Sequence, residues 1–187
     1  DELKKNNDIV FHKMEIPPLL NIDDNSIDFV VTFQVIEHIQ KDKFFLQEIH
    51  RVLKPGGKLL LTTPNKLMSL SRNPWHIREY TPAEMKNILD KYFNENSVNG
   101  VYGNDLVMDY YQKNKIAVRK ITRFDIFNLQ YILPRWLLQI PYDILNRLNR
   151  KKLKSQNEKV VQSVTVEDYF IKESTENCLD YFCVATK

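Results

Sequence analysis

Glycine is scarce in this chain. Only Gly56, Gly57, Gly100 and Gly103 occur among 187 residues, and none forms the Gly-x-Gly loop that lets backbone amides approach a nucleotide phosphate. Cysteine is scarcer still, with Cys178 and Cys183 alone. On one extended strand their odd spacing points them to opposite faces, which excludes a disulfide between them and a disulfide-stapled secreted scaffold. A cytoplasmic setting is expected. Long apolar runs are also missing: the most apolar stretch, 131–145, is broken by Arg135, Pro134 and Pro141, so no membrane span is expected. Residues 1–8 are polar and lack the apolar core of a secretion signal. Zinc-type ligands and recognised nucleic-acid motifs are absent, so no metal is expected and nucleic acid is disfavoured as a partner.

What is present is enough for one core. The chain is 43% hydrophobic with a net charge of +3, which fits one domain with an appendage. The charge is uneven, because residues 111–160 hold 12 Lys and Arg against 3 Asp and Glu. A basic segment beside an acidic body points to an anionic partner or to a solvated helical face.

Apolar patterning orders the elements. Residues 9–14 and 27–33 are β-branched and apolar runs of the kind that fill buried parallel strands. Residues 40–53 carry Phe45, Ile49, Val52 and Leu53 at helical spacing, and Lys54-Pro55-Gly56-Gly57 stops that helix. Residues 58–63 read as another strand, giving a strand, helix, strand unit. Thr81-Pro82-Ala83-Glu84 combines an N-cap, a proline at N1 and a capping-box acid, which predicts a helix over 82–92. Pro134 and Pro141 divide 105–154 into helical pieces. Residues 164–172 and 179–187 read as a terminal antiparallel hairpin, while Gly100-Val101-Tyr102-Gly103 reads as a loop.

Three blocks in order carry a resemblance: Asn25-Ser26-Ile27-Asp28-Phe29-Val30-Val31, then Gln34-Val35-Ile36-Glu37-His38-Ile39, then Arg51-Val52-Leu53-Lys54-Pro55-Gly56-Gly57. The chain resembles class I S-adenosylmethionine-dependent methyltransferases of the small-molecule type. Asn73-Pro74-Trp75-His76-Ile77-Arg78-Glu79-Tyr80-Thr81 extends the likeness toward bacterial members near cell-envelope biosynthesis. The fold this implies is α/β: a Rossmann-like methyltransferase sheet with helices on both faces and a C-terminal antiparallel hairpin, its first strands missing, with a helical cap insertion. The core is expected at 1–104 and 160–187 and the basic, aromatic cap at 105–159.

In such sheets ligands bind beyond the carboxyl ends of the strands. The resemblance places Glu15 and Ile16 at the adenine of S-adenosylmethionine, with Met14 nearby, and Phe33 and Gln34 along its methionine part, with His38 facing the site. An aromatic face near the sulfonium is also favourable electrostatically. His76, His38 and Tyr80 are the candidate bases, His76 first, and Trp75 and Arg78 the candidate substrate contacts. Plain alternatives stand beside these: Met14 and Phe33 as core residues, Glu15 as a solvated charge, Glu37 as an acid favoured by a helix start, and His76 with Arg78 as loop supports.

The resemblance implies a glycine-rich loop and a ribose-binding acid on two strands that are not in this sequence. Those strands separate 9–14 from 27–33 in the family, so roughly 60 upstream residues are expected, at about 30 per βαβ-type unit, together with a gap in the sheet. The expected activity is methyl transfer to oxygen of a small-molecule, sugar or lipid-linked acceptor. The alternative is a non-catalytic methyltransferase-like partner or scaffold module; a nucleotide-dependent dehydrogenase explains fewer of the motifs. The cap's basic, aromatic character suits closure over the site, an anionic membrane surface at the inner membrane face, or a homodimer contact.

Overall fold

The computed structural model describes residues 9–187, so the polar stretch 1–8 lies outside the described residues. The β-branched run that follows the turn at Ser26 forms β1 (Ile27–Phe33), and the amphipathic stretch after it forms α1 (Asp42–Val52). The chain extends again at once into β2 (Leu53–Pro64), earlier than the expected Lys58. Gly56 takes φ +80 there, and a Cβ on Gly57 would lie 2.9 Å from the Lys54 carbonyl and 3.1 Å from that of Asp28, so the irregular stretch of β2 where its register against β1 shifts needs both glycines. Next come α2 (Pro82–Leu89), with its capping box formed by Thr81 and Glu84, and β3 (Glu95–Gly103). Helices α3 (Asp105–Thr122), α4 (Leu129–Ile132), α5 (Arg135–Gln156) and α6 (Glu158–Ser163) precede β4 (Tyr169–Glu173) and β5 (Asp180–Thr186).

The strands form one five-stranded sheet in the order β1-β2-β5-β3-β4. β1 and β2 pair in parallel, Val31 opposite Leu60, and the crossover between them is α1. β5 is antiparallel to both β2 and β3, as expected for the last strand. One face is dry: Leu59, Leu61, Tyr181, Cys183 and Ala185 pack against Phe45, Leu46 and Ile49 of α1 and Met85 and Leu89 of α2, each at most 3% exposed. Burying such a side chain contributes about 1.5 to 3 kcal/mol. The opposite face carries Phe29, Val31 and Phe33 at 62%, 56% and 52% exposure, so no described helix covers it over β1.

Several expectations change. Residues 9–14 form no strand and pair with none of the described strands; a β-prone run takes up strand structure only in a ladder. Residues 19–24 are instead pinned to α1, where Arg51 donates to the carbonyls of Leu19 and Ile22 and to Asp24. The stretch around Gly100 is a strand, not a loop, and β3 lies between β4 and β5, so the two terminal strands do not form a hairpin. Pro141 sits inside α5 without dividing it, whereas Pro134 is its N-cap. Cys178 and Cys183 are both buried in the same core and both free. No helix among the described residues is long and apolar enough to cross a membrane.

Candidate functional site

β1 delivers Phe33 to the carboxyl edge of the sheet. Gln34 then takes φ +55, its backbone N–H donating to the Thr62 carbonyl at 2.9 Å, and this left-handed residue turns the chain into a 3-10 turn at Ile36–His38. A non-glycine residue in that region costs of order 1 kcal/mol and persists where the surroundings hold it. The Gln34 side chain bonds Asp180 at the start of β5. Burial pushes the Asp180 carboxyl up to about 6; the Gln34 bond opposes this and the nearby Glu37 charge adds to it.

Glu37 is 1% exposed and stitches three segments together. Its carbonyl accepts from the backbone N–H of Ile77 at 2.6 Å and of Arg78 at 3.2 Å, and its Oε2 accepts from Thr63 Oγ1 at 3.0 Å. The turn after β1 is thereby tied to the end of β2 and to the loop ahead of α2. His38 Nδ1 lies 2.9 Å from the Trp75 carbonyl, which can only accept, so Nδ1 carries the proton. His76 Nδ1 lies 2.6 Å from Glu79 Oε1, and Ser69 donates to the other Glu79 oxygen. The two imidazole rings meet edge to face with centroids 4.9 Å apart. The structure therefore brings His38 and His76 together.

The other site residues named from the sequence separate. Tyr80 is 1% exposed and its hydroxyl donates to Asp42 Oδ2 at 2.8 Å. Burial first, then the Asp42 carboxylate, raises its pKa far above the ordinary phenol value, which suits a core anchor and not a base. Arg78 donates to the same Asp42 oxygen at 2.9 Å. Trp75 is 47% exposed and its Nε1 donates to Asp143 of α5 at 3.1 Å. Phe33 and Ile16 are exposed at 52% and 38%, Glu15 is exposed and Met14 half-buried. No hydrogen bond or ion pair among the described residues joins Met14, Glu15 or Ile16 to Phe33 or Gln34, so the two halves of the expected cofactor wall are not linked directly. Asp42, Asn65 and Asp180 were not found by sequence reasoning; each acts through a partner more than a hundred positions away or on another element, which leaves no local pattern.

Helices α3 and α5 close around the loop before α2. Arg72 donates to the Gln130 carbonyl at 2.7 Å, Tyr111 to the Met68 carbonyl at 2.7 Å, and Arg135 to the Ile77 carbonyl. Two cavities result. One, of about 230 Å³, is lined by Pro74, Val118, Ile121, Leu138, Pro141 and Leu145. The other, of about 550 Å³, is lined by Ser69, His76, Glu79, Tyr110, Arg150 and Lys154. Ser71, Val118, Tyr142, Asn146 and Asn149 line both, so an apolar compartment adjoins a polar one that contains His76.

A mixed, open α/β sheet with its polar site beyond the carboxyl ends of β1 and β2 is the architecture of the class I methyltransferases. Residues 1–61 match the family described as a methyltransferase domain. A probable S-adenosylmethionine-dependent methyltransferase of Mycolicibacterium smegmatis is 45% identical over 76 residues, which are 38% of this chain and 30% of that protein. A mitochondrial ubiquinone biosynthesis O-methyltransferase of Rattus norvegicus is 38% identical over 58 residues, 31% of this chain and 17% of that one. Among solved structures, a S-adenosylmethionine-dependent methyltransferase of Thermotoga maritima aligns over 90% of this chain and 59% of its own with a TM-score of 0.51 at 16% identity. These findings bear out the resemblance to the class I S-adenosylmethionine-dependent methyltransferases and its fold. The chain spans less than a third of the length of the curated relatives it matches.

Proposed function

We propose that this protein transfers the methyl group of S-adenosylmethionine to an oxygen of an acceptor that carries both an apolar and an anionic part. The observation that carries this reading is the pair of adjoining cavities, one apolar and one holding His76, Glu79, Arg150 and Lys154, at the carboxyl ends of strands that match a methyltransferase domain. A lipid-linked acceptor has this chemistry. Phe33 and Gln34 fit as a wall of the cofactor site, because an exposed aromatic ring at that edge favours a sulfonium. S-adenosylmethionine supplies the electrophilic methyl group when bound.

The chain's own residues hold the acceptor and take its proton. The new bond joins acceptor oxygen to the methyl carbon, the sulfur–methyl bond breaks, and its electron pair stays on sulfur as a neutral thioether. The acceptor proton passes to Nε2 of His76, whose Nδ1–H is fixed by Glu79 at 2.6 Å. The cavity walls hold the acceptor in position for attack. Calorimetric titration with S-adenosylmethionine tests the reading: saturable binding that is weakened by Gln34→Trp supports it, and no binding leaves a scaffold module.

The helical segment has a second use in this reading. Phe124, Phe127, Trp136 and Ile140 are 73%, 76%, 70% and 71% exposed, and Arg147, Arg150, Lys151 and Lys152 follow on α5. An apolar stripe flanked by cations fits an anionic membrane surface that presents a lipid-linked acceptor. Sedimentation with anionic and neutral vesicles at low and high salt tests this. Salt-sensitive binding to anionic vesicles, lost when the four cations are neutralised, supports it; no binding leaves a cap or a dimer contact.

A further inference from the structure

The methyl-transfer chemistry above uses one nitrogen of His76 and leaves unexplained why a buried carboxylate and two imidazoles converge. One carboxylate oxygen of Glu37 and one ring nitrogen each of His38 and His76 lie within 4.8 Å of one another. Glu37 is 1% exposed, and its Oε1 faces His38 Nε2 at 3.9 Å, beyond hydrogen-bond range. Both histidines spend Nδ1 on an oxygen acceptor, His38 on the Trp75 carbonyl at 2.9 Å and His76 on Glu79 at 2.6 Å. In the neutral rings this leaves Nε2 as a lone pair on each. Electron-pair donors are thus gathered in one place with little to attract them to each other.

We propose that Glu37, His38 and His76 bind one divalent first-row transition-metal ion. A carboxylate and two imidazoles with open positions is a donor set that suits zinc, iron or cobalt, whereas magnesium and calcium prefer oxygen alone. The supports match a metal site too. A ligating imidazole is oriented by an acceptor on its other nitrogen, here a backbone carbonyl for one and a carboxylate for the other. Donors around an ion at 2.0–2.2 Å lie about 3 to 3.5 Å apart, so the widest pair closes by about 1 to 2 Å, through rotation of His38, which is 44% exposed, and of His76 on its loop. His76 also lines the polar cavity, so the ion's open positions face water or an acceptor oxygen. With the ion bound, the Nε2 lone pair of His76 is not free to take the acceptor proton, so His76 serves as ligand or as base and not as both; the role of the open positions rests on the methyl-transfer reading, and the metal site does not.

Calorimetric titration of zinc into the metal-stripped protein, with cobalt absorption spectroscopy beside it, tests the site. One ion per chain is expected, with cobalt bands of a nitrogen- and oxygen-ligated low-coordinate ion. His76→Ala and His38→Ala should abolish tight binding. Glu79→Gln, which keeps every ligand and removes only the charge of the carboxylate that orients His76, should weaken it about 10- to 100-fold. His12→Ala, an exposed histidine elsewhere, should leave it unchanged. Circular dichroism on each variant confirms folding, and Glu79→Gln decides the matter if a ligand variant unfolds. Absence of zinc binding, or binding that survives His76→Ala or falls equally with His12→Ala, overturns the proposal. A parallel titration with S-adenosylmethionine separates the two readings: zinc binding without cofactor binding leaves the metal site standing and removes the methyl-transfer reading.

Discussion

Replacing Asn65 by Ala should be among the most damaging single changes in the chain. Asn65 is 1% exposed just after β2 and makes four side-chain hydrogen bonds to oxygen and nitrogen partners, with a fifth, weaker one from Nδ2 to Cys178 Sγ at 3.6 Å. Its Oδ1 accepts from Tyr181 Oη at 2.6 Å and from the Leu67 backbone at 3.0 Å; its Nδ2 donates to the carbonyls of Cys178 at 2.7 Å and Glu176 at 3.0 Å. These bonds hold the start of β5 and the entry to the site loop against β2. An alanine leaves the hydroxyl of Tyr181, which is fully buried, and the Cys178 carbonyl without partners. Each buried polar group so orphaned costs about 1 to 3 kcal/mol, and the two more exposed partners recover water at little cost. The expected loss is therefore about 2 to 6 kcal/mol, a large share of the ~5 to 15 kcal/mol typical of a domain. Tyr181→Phe removes one donor and orphans only one acceptor that keeps a second partner, so about 1 kcal/mol is expected. Urea unfolding of both variants and of the double variant gives the coupling energy directly. If Asn65→Ala costs less than Tyr181→Phe, or the two add without coupling, the hub described here is not what holds the loop.

Other changes follow from the same geometry. Asp180 is protonated more readily folded than unfolded, so its contribution to stability is complete below about pH 4 and is lost as pH rises through about 6; Asp180→Asn should flatten the stability curve across that window in urea titrations. Gln34→Trp should weaken S-adenosylmethionine binding at least tenfold by calorimetry; unchanged affinity removes Gln34 from the cofactor wall. Gly103→Ala places a Cβ 2.3 Å from Val107 Cγ1 and should cost about 1 to 3 kcal/mol by overpacking, measured by urea unfolding; a neutral result shows that α3 shifts freely against β3. Thr81→Ala removes the cap of α2 and should cost about 1 kcal/mol without altering zinc binding.

Elements whose signals are local were legible in the sequence. The capping box at Thr81 and Glu84 and the β-branched run of β1 each announce themselves within a few residues, and the structure keeps both. β3 was not legible, because Glu95-Asn96-Ser97-Val98-Asn99-Gly100 has no apolar alternation and a single β-branched residue, Val98. It is a strand through its partners: Val98 sits opposite Cys183, and Gly100 is required because a Cβ there would lie 2.6 Å from Cys178 Cβ. Residues 9–14 show the reverse, a strand-like sequence whose partner is not among the described residues. At the site, the block Gln34 to His38 was readable as a motif, and His76 by its neighbours. Asp180 and Asn65 were not, since their roles arise where β5 returns to β2 across the sheet.

β1 stands at the edge of the described sheet, its outer rim of amides and carbonyls unpaired by any described strand and its flank lined by Phe29, Val31 and Phe33. Such an edge templates strand addition without regard to sequence. An element paired along that rim would shield it for the whole domain. A molecule in which that rim stays bare is caught between two fates at working concentrations: it recruits a strand from a second copy, or it seeds β-rich aggregates. A single lysine in place of Val31 would charge that bare face beside the rim, and the gain in solubility would measure how much of the domain's stickiness resides there.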